Sequence, residues 1–144
     1  MPNYLNGKIY MIEPICEYET GDIYIGSTTR PLSERMNQHR ANYKSNNVKC
    51  KCKASLLFEK YGVENCKIVL IEEYPCDNKI SLDRKEGDHQ RLIKCINKKI
   101  SGRTDKEYQN DNADKIKEQR REYYLKNKEI INKNRHQYYL LNKK

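Results

Sequence analysis

The chain has 144 residues and a net charge of +9, with 34% charged and 36% hydrophobic residues, which suits one compact domain plus an appendage and a core drawn from only part of the chain. No apolar run approaches a membrane span and the N-terminus lacks the hydrophobic core of a signal peptide, so an intracellular, non-secreted protein is expected. The basic balance favours a polyanionic partner, nucleic acid first and an anionic membrane second, although a merely soluble basic protein would look the same.

Residues Lys8 to Glu13 and Asp22 to Ser27 alternate around β-branched and aromatic side chains, which predicts two strands joined by a loop from Pro14 to Gly21. Pro31 suits the first turn of a helix running to about Tyr43, with Leu32, Met36 and Tyr43 as its buried stripe. The lysine-rich Lys44 to Lys53 segment reads as a loop. A short helix from Ala54 to Tyr61 stops at Gly62. The run Ile68-Val69-Leu70-Ile71 predicts a strand covered on both faces. Asp77 or Asn78 caps a last helix expected to reach about Ile96, with a stripe of Leu82, His89, Ile93 and Ile96. The order β-β-α-α-β-α predicts an α/β (α+β) architecture, a three-stranded antiparallel sheet flanked by helices.

The chain changes character near residue 100, dividing a domain over 1–100 from a tail over 101–144. From Ser101 onward it carries 12 Lys/Arg against 7 Asp/Glu, a net +5. Tyr108, Tyr123 and Tyr138 recur every 15 residues, as do Arg120 and Arg135. Fifteen residues is close to four helical turns, and no Pro or Gly interrupts Arg103 to Lys144, so a helical tail is permitted. Phosphate contact, a solvated or flexible spacer, and self-association through its Tyr and Ile positions are all open readings.

Six cysteines stand at 16, 50, 52, 66, 76 and 95. Reduced thiols are expected in the absence of a secretory signal, with a zinc site on Cys50, Cys52, Cys66 and Cys76 as a minor alternative.

The chemistry resides elsewhere. Tyr10 lies between Ile9 and Met11, and Tyr24 between Ile23 and Ile25, so in a strand each phenol leaves the face opposite its aliphatic neighbours. A suitable register brings both phenols onto one surface; otherwise they are ordinary strand tyrosines. Arg35 and His39 are one helical turn apart. The guanidinium at the stripe's edge could fork onto phosphate or simply face solvent, and His39 could be a packed core histidine. Glu86 falls in the middle of an apolar stripe. A glutamate there either pairs with a cation such as Arg35 or ligates a metal, and a hard oxygen ligand suits Mg²⁺, which keeps several waters and needs only one or two carboxylates.

The ordered set Ile9-Tyr10, Tyr24-Ile25-Gly26, Arg35-x-x-x-His39, Glu86 and Asn97 resembles the GIY-YIG nuclease superfamily over about residues 6 to 98. Lys8 stands where the first motif usually has glycine, with Gly7 displaced by one position. The resemblance implies metal-dependent hydrolysis of DNA, most readily double-stranded. Tyr10 would be the general base, assisted by Tyr24 or His39. Glu86 would hold one Mg²⁺ or Mn²⁺ ion and Arg35 would clamp the scissile phosphate. Gly26 would serve the backbone, and Asn97 and Lys8 would be candidates for substrate contact. The competing class is a non-catalytic nucleic-acid-binding module of the same fold.

Overall fold

The computed structural model describes residues 1–45 and 52–143. They form two compact units, Met1–Arg103 and Thr104–Lys144. The first contains β1 (Lys8–Pro14), β2 (Tyr24–Thr28), α1 (Leu32–Lys44), α2 (Ser55–Tyr61), β3 (Cys66–Glu73) and α3 (Lys79–Leu92). The sheet is antiparallel with order β2-β1-β3, which puts β1 at the centre. Ile9, Tyr10 and Ile12 of β1 are wholly buried.

Alternation along β1 sends its side chains to two cores. Tyr10 and Ile12 pack with Met36, Ala54, Leu57, Phe58 and Cys66 under α1 and α2. Ile9 packs with Ile25 and with Leu82 of α3 on the other face. Full burial of a side chain such as Leu57 or Phe58 contributes roughly 2 kcal/mol. The loop from β1 to β2 is tied to α2, where Lys60 Nζ lies 2.7 Å from Asp22 and 2.6 Å from Glu19.

Two expectations need correction. β3 is an edge strand, and Leu70 is 41% exposed rather than covered on both faces. Ile9 pairs with Glu72 and Tyr10 with Leu70, which leaves Ile71 as the extra residue of a bulge. The last helix of this unit stops at Leu92, not near Ile96. The chain beyond it runs along β2: Ile96 N–H donates to Ile23 O at 2.9 Å just before the strand, and the Asn97 side chain bonds to Ile25 within it. Ile93 and Ile96 therefore lie beyond the helix.

The sulfur atoms do not gather either. Cys52 and Cys66 pack on the Tyr10 face, whereas Cys76 and Cys95 pack on the Ile9 face. That separation excludes the zinc site that would join Cys66 to Cys76. Cys50 and most of the Lys44 to Lys53 segment lie outside the described residues. No helix among the described residues is long and apolar enough to cross a membrane.

The second unit holds α4 (Asp105–Asp111) and α5 (Ala113–Leu141). Thr104 and Glu107 form a capping box that starts α4. Asn112 ends it, its side chain donating to Tyr108 O at 2.9 Å. Asn127 and Asn142 make the same bond to Tyr123 and Tyr138 at 2.8 Å, so the 15-residue repeat has a structural counterpart in each copy. Despite the lack of Pro and Gly, the tail is two helices rather than one, because Asn112 leaves helical geometry (φ −118°, ψ 20°). α5 buries none of its 29 residues.

Candidate active site

The β1–β2 register brings the two phenols together. Tyr10 faces Gly26 and Ile12 faces Tyr24, so Tyr10 and Tyr24 are diagonal neighbours on one face. Their ring centroids are 6.5 Å apart. A Cβ at position 26 would stand 2.5 Å from Tyr10 Oη and 3.0 Å from Tyr24 Cε1. Gly26 is thus the floor on which the Tyr10 ring rests. Gly7 has a comparable role, since a Cβ there would meet Tyr74 O at 2.3 Å.

Helix α1 supplies the next two groups from adjacent turns. Arg35 Nε donates to Tyr10 Oη at 2.9 Å, and His39 Nε2 lies 2.7 Å from the same oxygen. Because a guanidinium can only donate, Tyr10 accepts from Arg35 and its own proton is left for His39 Nε2. The remaining imidazole N–H, at Nδ1, then points at Cys52 Sγ, 3.2 Å away. Burial, with the positive charge of Arg35 added, lowers the His39 pKa to about 4, so the ring is the neutral acceptor this tautomer requires. Burial also pushes Tyr10 up to about 12, against the opposing pull of Arg35. Tyr24 is raised further, by burial first and then by Tyr10 and Glu86.

Glu86 sits on α3, 9% exposed. Its Oε2 accepts from Ser27 Oγ at 2.5 Å, while Oε1 accepts from Gln90 Nε2 at 2.8 Å and Ser101 Oγ at 2.5 Å. None of the ion pairs among the described residues involves it, so Arg35 is not its partner. Glu86 faces a cavity of about 420 Å³ that Tyr24, Asn97 and Ser101 line together with Lys53, Lys98 and Lys99. A carboxylate oxygen has about two acceptor positions. Oε1 is filled by Gln90 and Ser101, which line that cavity, whereas Oε2 accepts only from Ser27, a residue of the groove beside Arg35, and keeps one position free. A buried, hydrogen-bonded carboxylate with no cation in ion-pair contact among the described residues fits a hard divalent ion that brings its own waters, although Lys53, Lys98 and Lys99 stand around the same cavity. No group of three or more His, Cys, Asp or Glu able to cage an ion occurs among the described residues.

Asn97 braces the edge of β2. Its amide accepts from Ile25 N at 2.9 Å and donates to Ile25 O at 2.8 Å, which commits both ends of the side chain to backbone. Lys8 Nζ turns to Asn6 O at 2.9 Å and lines neither the Glu86 cavity nor the one beside Arg35. Tyr10, Tyr24, Arg35 and His39 thus form one cluster. Glu86 shares its cavity with Tyr24, and Asn97 and Lys8 bond to backbone.

Several contributors lie outside the set named from sequence. Gln90 lies one turn from Glu86, a spacing that is readable in the chain. Ser27 follows the Tyr24-Ile25-Gly26 motif directly and bonds to α3. Ser101 carries no local signal. It reaches Glu86 because Gly87 lets the segment after α3 pass close, where a Cβ would stand 2.1 Å from Ser101 O. Cys52, expected only as a minor zinc ligand, instead meets the His39 ring.

A family model described as the GIY-YIG catalytic domain matches residues 6–138, a span that takes in α4 and most of α5. No curated protein and no solved structure matches the chain. Nucleases of this family act on nucleic acid, DNA in general, and generally use a divalent metal. The chain belongs to the GIY-YIG family and is an endonuclease-type hydrolase.

Proposed function

We propose that this protein hydrolyses DNA phosphodiester bonds with Tyr10 as the proton-accepting group and one divalent ion held by Glu86. The observation that carries the reading is the meeting of Arg35 and His39 on a single phenolic oxygen, at 2.9 and 2.7 Å. A phenol raised to about 12 is a poor free base near neutral pH. A relay avoids that barrier. The attacking water passes a proton to Tyr10 Oη as Tyr10 passes its own to His39 Nε2, so no free phenolate is required. Arg35 donates one N–H to Tyr10 and another to Gln38, which leaves three of its five for the scissile phosphate. Burial is the main cause of the low His39 pKa and Arg35 the lesser one; the arriving phosphate offsets only the guanidinium part, which makes the imidazole a somewhat better acceptor when substrate is present.

Glu86 would ligate Mg²⁺ or Mn²⁺ through Oε2, and the bound ion supplies charge neutralisation at the leaving oxygen. Tyr24 walls the same cavity, close enough to orient what enters it. In this reading residues 1–100 are the cutting domain, and the basic tail over 101–144 adds phosphate contacts.

A plasmid-nicking assay tests the proposal. Wild-type protein with Mg²⁺ or Mn²⁺ should nick supercoiled DNA, and Glu86→Gln should abolish nicking. Tyr10→Phe should slow single-turnover cleavage by about 10²–10⁴-fold. Cleavage that persists in Glu86→Gln or under excess chelator refutes the mechanism.

A further inference from the structure

A groove of about 350 Å³ opens beside Arg35, and its walls share no residue with those of the Glu86 cavity. Arg30, Lys79, Thr29, Gln38 and Asp83 line it together with Arg35. It continues into a second cavity of about 380 Å³ that shares Thr29 and Arg30 as walls. The turn after β2 fixes the first of these cations by its backbone, where Arg30 N–H donates to Thr28 Oγ1 at 3.1 Å. Lys79 is the first residue of α3. Among the described residues neither the Arg30 guanidinium nor the Lys79 ammonium has an ion-pair partner. Asp83, one turn beyond Lys79, is the single carboxylate in the lining. The balance is three cations against one anion.

We propose that this groove seats the nucleic-acid backbone next to the scissile phosphate, with Arg30 and Lys79 each neutralising one flanking phosphate. The inference rests on Arg35 holding the scissile group. Continuity is the argument. A cation that grips one phosphate in a groove adjoining a second cavity, with two cations along it that have no ion-pair partner among the described residues, suits a polyanionic strand better than an isolated anion. Hydroxyl and amide groups from Thr29 and Gln38 can donate to phosphate oxygens between them. Such contacts set position and affinity and carry no base sequence.

The test is binding of a fluorescent DNA duplex to the full chain in chelator, so that no cutting occurs, across a salt series. Arg30→Gln and Lys79→Gln should each make the slope of log K against log salt shallower by about 0.9, the value for one B-DNA phosphate contact. Between about 50 and 200 mM salt each variant should then weaken about 3.5-fold less than wild type. Lys67→Gln, an equal charge change on β3 outside the groove, should keep the wild-type slope. In the presence of metal, both groove variants should raise KM and leave kcat unchanged. Slopes equal to wild type in both groove variants overturn the proposal, as does an equal change in Lys67→Gln. If the slopes shift as expected and the wild type does not cut, the backbone track stands and the hydrolytic reading falls. If the wild type cuts and the slopes stay unaltered, the hydrolytic reading stands and the backbone track falls.

Discussion

Replacing Gly26 with alanine tests the site through a single methyl group. The added Cβ would lie 2.5 Å from Tyr10 Oη, 2.7 Å from Tyr10 Cζ and 3.0 Å from Tyr24 Cε1, where about 3.5 Å is a comfortable separation. The Tyr10 ring must therefore retreat by about 1 Å. It has nowhere soft to go, because Tyr10 is wholly buried against Ile12, Met36 and Phe58. Overpacking of this kind costs about 1–3 kcal/mol, which in a domain of this size lowers Tm by about 5–15 °C. A 1 Å displacement of Tyr10 also lengthens its bonds to Arg35 and His39, and misplacement on that scale reduces turnover about 100-fold. Thermal unfolding and single-turnover nicking measure the two effects separately. In a Tyr10→Phe background the closest contact vanishes while that to Cζ remains, so the alanine penalty should shrink without disappearing. A Gly26→Ala protein with wild-type Tm and a cleavage rate within about twofold of normal would refute the packing argument.

Acid sensitivity should trace to His39. The unfolded imidazole takes up its proton near pH 6.5 and the folded one only near 4, so between those values the unfolded state binds more protons. This contribution is constant above pH 6.5 and erodes by about 3 kcal/mol as the pH falls towards 4. Urea melts at several pH values should show a shallower decline in His39→Gln, and parallel curves would contradict the assignment. Asn97→Ala strips Ile25 of both edge hydrogen bonds, for an expected loss of about 1–3 kcal/mol. A loss below about 0.5 kcal/mol would mean that water replaces the amide without penalty. Deleting residues 104–144 removes 11 Lys/Arg and 7 Asp/Glu, a net +4. The deletion should leave cutting intact and flatten the salt dependence of DNA binding. An unaltered slope would make the tail a spacer.

Much of this molecule is readable from local order. Alternation around Tyr10 and Tyr24 announces two strands with each phenol opposite its aliphatic neighbours, while only the strand register brings the two phenols onto one face. The four-residue interval announces Arg35 and His39 as stacked groups, and Glu86 stands out as an acid in an apolar stripe. These signals depend on periods of two and about 3.6 residues, which any short window preserves. Contacts between distant segments are not readable in this way. Strand order makes β3 an edge and exposes Leu70, although its run of four apolar residues suggests full cover. Pairing of Ile96 and Asn97 with Ile23 and Ile25 stops α3 early, and the close passage over Gly87 delivers Ser101 to Glu86. Electrostatics follows the same division. Residue types alone place a cation near a phenol. Whether that phenol rises or falls in pKa depends on how much water the packed core excludes, and desolvation is a property of the assembled fold rather than of any stretch of chain.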